Sequence, residues 1–203
     1  MKKFAKVFML IACVAMVFCF AAGVSASETN ANAVTVTINI QELVRAYDSD
    51  GDGIYDARYE NPTANILDGD TVEAELTDTL YDVIVDAGFA NAYGVNPSCW
   101  DLVNITEWDD ETQSFVSTGE TAYALTRINY DGGSKVNNSS YPSQNFYQGS
   151  SWMWYAGTAI PAPGTWGATD NYPTDYLSQV TVADLVNNNY TFTLSYETDF
   201  MTW

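Results

Sequence analysis

The chain has 203 residues, of which 26 are acidic, 7 are basic and none is histidine, so its formal net charge is −19 at pH 7. Nucleic acids and anionic lipid surfaces are poor partners for so acidic a protein, because both carry negative charge. Without histidine, the common zinc sites and the serine or cysteine triads are excluded. A glycosidase-like pair of carboxylates stays open, but an acidic chain produces such pairs by chance, and we predict that the protein is not an enzyme.

The N-terminal segment, residues 1–26, has the parts of a secretory signal peptide. Three lysines precede an apolar run over residues 7–23, and small residues follow up to Ala26. A lipobox ending at Cys13 is the alternative, although it leaves only a short apolar stretch ahead of the cysteine. We expect cleavage after Ala26 and a single extracellular domain over residues 27–203. The mature protein is then secreted or held at the cell surface, with no membrane insertion.

Cleavage of the signal peptide would remove three of the basic residues and two of the cysteines. It leaves Arg45, Arg58, Arg127 and Lys135 against all 26 acidic residues, and it leaves Cys99 as the one cysteine. One cysteine cannot form an internal disulfide, and without histidine nothing activates it as a nucleophile. We interpret the acidic charge as a means of staying soluble outside the cell, with cation binding as the alternative.

The mature chain opens with elements that its periodicity and turn residues predict. Residues 34–40 alternate apolar and polar side chains, which is typical of a half-buried strand. A loop over residues 46–70 carries acidic and turn-forming residues, and a loop of this length is usually ordered by something bound to it. A short strand is predicted at residues 71–76.

The clearest helix follows this strand. Thr77 or Asp78 is placed to cap it, and Gly88 is placed to end it. Its apolar side chains share one face: Leu80, Val83, Ile84 and Ala87. Beyond the helix, strands are predicted at residues 100–108, 114–116, 121–130 and 190–196, and an exposed loop at residues 131–150. Strands on both sides of one main helix predict an α+β fold in which the helix packs on one face of a mixed sheet.

Three stretches carry a resemblance to a known family: residues 34–40, 78–84 and 150–155 (Ser-Ser-Trp-Met-Trp-Tyr). They are similar to secreted bacterial domains of unknown function that share the β-grasp fold of the C-terminal domain of transcobalamin and intrinsic factor. The family has a glycine-tryptophan-methionine-tyrosine turn, and here Ser151 stands in place of the first glycine. The resemblance implies a β-grasp-like mixed sheet with long loops, and a ligand that is a corrinoid, a glycan or a peptide.

The most chemically specific motif is Asp-Ser-Asp-Gly-Asp-Gly-Ile-Tyr-Asp at residues 48–56, within an acidic loop that extends to residue 60. Alternate carboxylates before a glycine turn are typical of a calcium-binding loop. Position twelve is Tyr59 rather than an acid, so Glu60, or else Asp68 or Asp70, would complete the site. We predict a structural calcium site with a dissociation constant of roughly 10⁻⁴ to 10⁻³ M, and a metal-free turn is the alternative. The predicted ligands are Asp48, Asp50, Asp52, the Ile54 carbonyl, Asp56 and Glu60.

An aromatic group is the candidate ligand-binding site: Trp152, Trp154, Tyr155 and Trp166. Indole faces stack on sugar rings or on a large planar ligand, and an acidic protein would hold a neutral ligand by such contacts. A second interpretation, which we favour for Trp152 and Trp154, is that both face the core on a strand while Tyr155 covers an edge. Trp166, which lies beside glycines, is then the more exposed ring.

Two functional predictions follow from these features. The first is a secreted, non-catalytic ligand-binding module with a structural calcium site, whose partner is a small molecule or a glycan. The second is a structural or adhesive cell-surface component that self-associates, or pairs with other surface proteins, through its sheet edges.

Overall fold

The structure is a computed structural model that describes residues 33–158 and 175–202, so the predicted signal peptide and Trp166 lie outside the described residues. Strand covers 58% of the described residues and helix covers 9%. The predicted α+β class with one main helix is therefore wrong, and the fold is mainly β. Within the described ranges, no helix has the length and apolar character needed to cross a membrane.

A five-stranded mixed sheet lies at the centre of the molecule. Its strands, in spatial order, are β4 (Ala64–Glu75), β1 (Ala33–Val44), β11 (Thr191–Thr202), β10 (Phe146–Ala156) and β9 (Asn138–Ser143). β1 and β11 run parallel, with Ile38 beside Phe192, and the other neighbours are antiparallel. The first and last strands of the described chain therefore form the middle of the sheet.

One face of this sheet is apolar and carries the core. Val36, Ile38 and Ile40 on β1 are completely buried, as the period-two alternation predicts. They share a single hydrophobic cluster with α1 (Leu80–Asp86), with the 3-10 helix Val182–Asn188 and with strand residues. The other large members of this cluster are Trp100, Leu125, Ile128, Trp152, Phe192 and Leu194. Strand side chains therefore supply much of the core, and the short helices add the rest.

Helix α1 begins later than predicted and is only seven residues long. Its cap is Thr79 rather than Thr77 or Asp78. The Asp82 N–H donates to Thr79 Oγ1 at 3.2 Å, and the Thr79 N–H donates to Asp82 Oδ2 at 3.0 Å. This reciprocal pair is a capping box, which satisfies two N–H groups at the start of the helix. Gly88 follows the last turn at φ +78°, as predicted for the helix end.

The opposite face of β1 and β11 is polar and also buried. Gln41 lies beside Ser195 in the parallel register, and its Nε2 is 3.4 Å from Ser195 Oγ. Arg45 Nε is 2.8 Å from Glu197 Oε2, and Tyr155 donates its hydroxyl to Glu197 Oε1 at 2.8 Å. Buried charges are tolerated when they are paired and hydrogen-bonded in this way. This network joins the central strands to β10.

Three two-stranded sheets complete the fold. They are β2 with β3 (Ala46–Tyr47 and Ala57–Arg58), β5 with β6 (Trp100–Asp109 and Ser114–Leu125), and β7 with β8 (Arg127–Tyr130 and Gly133–Val136). The predicted loops at residues 46–70 and 131–150 were wrong, because both contain paired strands. The predicted strands at 114–116 and 121–130 are instead one long strand, β6, followed by β7. The β5–β6 hairpin is called the arm below, because most side chains in its outer half are exposed.

Candidate functional site

The acidic loop, residues 48–56, connects β2 to β3. The two short strands hold its ends together, since Tyr47 pairs with Ala57. Carboxylate oxygens of Asp48, Asp50 and Asp52 lie within 4.8 Å of one another. No second group of three or more acidic or cysteine side chains this close occurs in residues 33–158 and 175–202.

Asp48 organises the backbone of this loop. Its Oδ1 accepts the Gly51 N–H at 2.6 Å, and its Oδ2 accepts the Gly53 N–H at 2.7 Å. The hydrogen bonds from Gly53 and Gly51 favour the charged form and lower the pKa of Asp48 below its usual value. Both glycines have positive φ, +84° and +90°, a conformation that glycine adopts without steric cost. The loop therefore keeps Asp48 ionised, which is the form that a cation needs.

The carboxylates of Asp56 and Glu60, two of the other predicted ligands, are not among the clustered groups. Both carboxylate oxygens of Asp56 accept hydrogen bonds from Ser49, at 2.9 Å from its N–H and 2.7 Å from its hydroxyl. These bonds, the hydroxyl first, also lower the pKa of Asp56. The Ile54 N–H donates to Asp52 Oδ1 at 2.8 Å, which tightens the turn. Glu60 is exposed beyond β3 and is not one of the clustered carboxylates.

Asp68 and Asp70, the alternative ligands, lie on β4 and accept backbone N–H groups. Asp68 Oδ2 accepts the Asp131 N–H at 2.8 Å, and Asp70 Oδ1 accepts the Thr71 N–H at 2.7 Å. The clustered part of the site is therefore three carboxylates. Carboxylates fit a hard divalent cation such as calcium, but calcium takes six to eight oxygens, so water and backbone carbonyls would have to supply the rest.

Gln148 on β10 holds the acidic loop against the main sheet. Its Nε2 donates to the Gly53 carbonyl at 2.9 Å, and its Oε1 accepts the Tyr55 N–H at 2.7 Å. Arg58, at the base of the loop, donates to Asp199 on β11 at 2.8 Å. Sequence reasoning missed Gln148, because it is far from the loop in the chain and a single glutamine carries no pattern.

The structure separates the members of the predicted aromatic group. Trp152 is buried and donates its ring N–H to the Lys135 carbonyl at 3.0 Å. Tyr155 is buried on the opposite face, where its hydroxyl contacts Glu197. Both side chains therefore serve mainly to stabilise the fold.

Trp154 differs from its neighbours on β10. It is only half-buried, and its ring N–H donates to the Asp175 carbonyl at 2.9 Å. Its polar atom is therefore satisfied while part of the indole face stays open. Trp166, the fourth predicted residue, lies outside the described residues.

A surface cleft of about 310 Å³ opens beside Trp154. Its walls come from the end of β6, from β10 and from residues 175–177, and we call it the Trp154 cleft. The lining side chains that matter here are Tyr123, Asn137, Trp152, Trp154, Asp175 and Tyr176. Small-molecule sites span about 300–1,000 Å³, so this cleft suits a ligand much smaller than a corrinoid.

Tyr123 and Tyr176 are cleft residues that sequence reasoning missed. The Tyr123 ring lies 4.9 Å from the ring of Tyr81 on α1 and 4.9 Å from the ring of Tyr93. Tyr81 in turn contacts the buried Trp100 at 4.7 Å, so a row of rings anchors Tyr123 to the core. The alternation in β6 indicated a strand, but it carried no signal for which side chain reaches a cleft.

The polar groups of the cleft fall into two sets. Asn137 serves the fold, because its Nδ2 donates one N–H to the Leu125 carbonyl at 3.0 Å and its Oδ1 accepts the Trp152 N–H at 2.9 Å. The other oxygen-bearing side-chain groups of the lining residues are the Asp175 carboxylate and the hydroxyls of Tyr123 and Tyr176. Three oxygen-bearing groups and an indole face are therefore what this cleft offers.

Comparisons of the chain with protein-family models, with curated proteins and with solved structures found no match. The resemblance to transcobalamin-like domains therefore stays a prediction.

Proposed function

We propose that the protein is a secreted, non-catalytic binding module that holds a small ligand in the Trp154 cleft. One observation carries the proposal: Trp154, Tyr123 and Tyr176 come from separate segments and meet at one cleft of about 310 Å³. Aromatic side chains around a few polar groups are the usual composition of a small-molecule site.

The state of Trp154 supports binding over simple packing. A buried indole needs a partner for its N–H, and the Asp175 carbonyl supplies one. What Trp154 leaves open is apolar ring surface, which gains free energy when a ligand covers it.

A binding role is also favoured over catalysis by the chemistry of the cleft. Among the described residues, its lining contains one carboxylate, Asp175, whereas hydrolysis of a glycosidic bond needs two. The chain contains no histidine to act as a general base near neutral pH.

Calcium is proposed as a structural ion of the acidic loop. The close carboxylates of Asp48, Asp50 and Asp52 support it. Gln148, which contacts the loop, and Trp154, which lines the cleft, are six residues apart on β10, or about 20 Å. An ion in the loop is therefore too far away to touch the ligand, and it would act by ordering the β2–β3 connection.

Binding is tested by titrating the mature protein with a panel of small neutral, cationic and anionic compounds and following tryptophan fluorescence. Trp154→Ala should weaken binding of any compound that is found by at least tenfold. Trp108→Ala is the matched control, because Trp108 is 50% exposed on the arm. Equal affinity in wild type and Trp154→Ala would place the ligand elsewhere and contradict the proposal.

The arm favours a second function, that of a structural or adhesive surface component. Trp108 and Phe115 pair at its outer end, with ring centroids 5.2 Å apart, and Phe115 is 70% exposed. Exposed apolar side chains on an unpaired two-stranded ribbon are typical of an association surface. Size-exclusion chromatography at several concentrations tests this: the oligomer should be lost in Phe115→Ser, and a monomer at every concentration would contradict it.

A further inference from the structure

We propose that the ligand of the Trp154 cleft is an organic cation with an alkylammonium group. The inference rests on the proposed binding function and adds the charge and chemical class of the ligand.

The hydrogen-bonding groups of the cleft favour a cation. Both indole N–H groups of the lining side chains are already used, since Trp154 donates to the Asp175 carbonyl and Trp152 donates to the Lys135 carbonyl. One of the two amide N–H groups of Asn137 donates to the Leu125 carbonyl. What remains is one amide N–H of Asn137, the Asp175 carboxylate, which only accepts when ionised, and two phenol hydroxyls. A lining that has a carboxylate and no basic side chain is better equipped for a positively charged group than for an anion.

The charges of the side chains around the cleft also favour a cation. Three basic side chains are engaged with carboxylates: Arg45 with Glu197, Arg58 with Asp199, and Lys135 with Glu42. Lys135 is the one whose backbone reaches the cleft wall, and its ammonium lies 2.5 Å from the Glu42 carboxylate.

Arg127, the fourth basic residue of the described chain, does not line the cleft. No lining side chain therefore opposes a cation, and the net charge of −19 attracts one from solution.

The aromatic side chains of the cleft offer ring faces on which a cation can bind. A cation over the face of tryptophan gains more than over any other ring, and tyrosine follows. Trp154 and Tyr176 offer such rings, and Asp175 stands at the same cleft as a counter-charge. A neutral sugar would lack the last contribution and would find few free donors for its hydroxyls.

The experiment uses a pair of probes that differ only in charge. Choline carries a trimethylammonium group, and 3,3-dimethylbutan-1-ol is its neutral isostere. Isothermal titration of the mature protein should show choline binding about tenfold more tightly than the alcohol, the size of a cation–π contact of about 1.4 kcal/mol. Nα-acetyl-lysine methylamide, titrated alongside, tells a free quaternary cation from the side chain of a peptide, and binding of either one supports the proposal.

Two variants separate specific binding from attraction to an acidic surface. Trp154→Ala and Asp175→Asn should each weaken choline binding several-fold, and Asp175 is exposed enough that its substitution leaves folding intact. Glu111→Gln removes one carboxylate from the turn of the arm and should leave the affinity unchanged.

The outcomes distinguish the cation from the binding site. If the alcohol or N-acetylglucosamine binds as tightly as choline and Trp154→Ala abolishes that binding, the cleft is a site but its ligand is not a cation. If choline binding falls equally in Glu111→Gln and Asp175→Asn, it is unspecific and the cation proposal fails. If no probe binds in a way that depends on Trp154, the proposed function fails with it.

Discussion

The core beneath the sheet and the Trp154 cleft use the same side chain in opposite ways. In the core, Trp100 is 1% exposed and donates its ring N–H to the Asn91 carbonyl at 2.8 Å. In the cleft, Trp154 also donates to a backbone carbonyl, yet its side chain is only partly buried. The protein satisfies the polar atom of both indoles, and the difference lies in the apolar surface. Trp100 therefore stabilises the fold, whereas part of Trp154 is left for a ligand.

The largest predicted effect tests this difference by truncation. Trp100→Ala should lower the free energy of unfolding by about 3–5 kcal/mol, because it opens a cavity in the core. Trp108→Ala, on the arm, should change it by no more than about 0.5 kcal/mol. Trp154→Ala should fall between the two, as measured by urea denaturation. A cost for Trp154→Ala as large as that for Trp100→Ala would make the cleft residue a core residue and break the comparison.

Calcium should give the next largest effect, because an ion that binds only the folded loop stabilises it by mass action. The thermal midpoint of the mature protein should rise by several degrees in calcium and fall back with excess chelator. Asp50→Asn should abolish this rise, whereas Asp110→Asn, in the turn of the arm, should preserve it. An identical midpoint with calcium and with chelator would reduce the acidic loop to a surface turn.

A smaller loss of stability is expected at the N-cap of α1. This helix belongs to the core rather than to the cleft. Thr79→Ala removes the side-chain acceptor for the Asp82 N–H and should cost about 1 kcal/mol of stability. Choline affinity should not change. The matched control is Thr121→Ala on β6, where the side chain is exposed. Loss of ligand binding in Thr79→Ala would show that cleft and core are not energetically separate.

The smallest predicted effect is the response of the acidic loop to low pH. The folded pKa of Asp48 lies below its usual value of 3.8, so the hydrogen bonds of this carboxylate stabilise the loop above pH 3.8 and are lost as the pH falls through the folded pKa. The amide NMR signals of Gly51 and Gly53 should therefore hold their positions from pH 7 to pH 4 and move together only at lower pH. Asp48→Asn should remove this transition, and a transition above pH 4 in the wild type would contradict the assignment.

Local patterns predicted the parts of the fold that depend on near neighbours. The alternation in residues 34–40 located the buried residues of β1, and the helix face of Leu80, Val83 and Ile84 was correctly predicted to be apolar. The cap was misplaced by one or two residues, because Thr77, Asp78 and Thr79 all have capping side chains. Residues 131–150 were predicted as a loop because they are polar and lack periodicity. They are strands because β8 pairs with β7, β9 pairs with β10, and β10 pairs with the distant strand β11.

The two candidate sites also differ in how far the local sequence could predict them. The acidic motif lies within nine residues, so its spacing alone predicted the approach of Asp48, Asp50 and Asp52. The cleft is built from β6, β10 and residues 175–177, and no local pattern relates Tyr123 to Tyr176. Trp154 was predicted for its residue type, and only the fold shows that it differs from Trp152.

The most direct test of the cleft is to follow the indole N–H signals of ¹⁵N-labelled mature protein during a choline titration. Our account predicts that the Trp154 signal shifts in a saturable manner, while those of Trp100 and Trp108 remain in place. A Trp154 signal that does not move with choline, with its neutral isostere or with N-acetylglucosamine would contradict the assignment of this cleft as a ligand site.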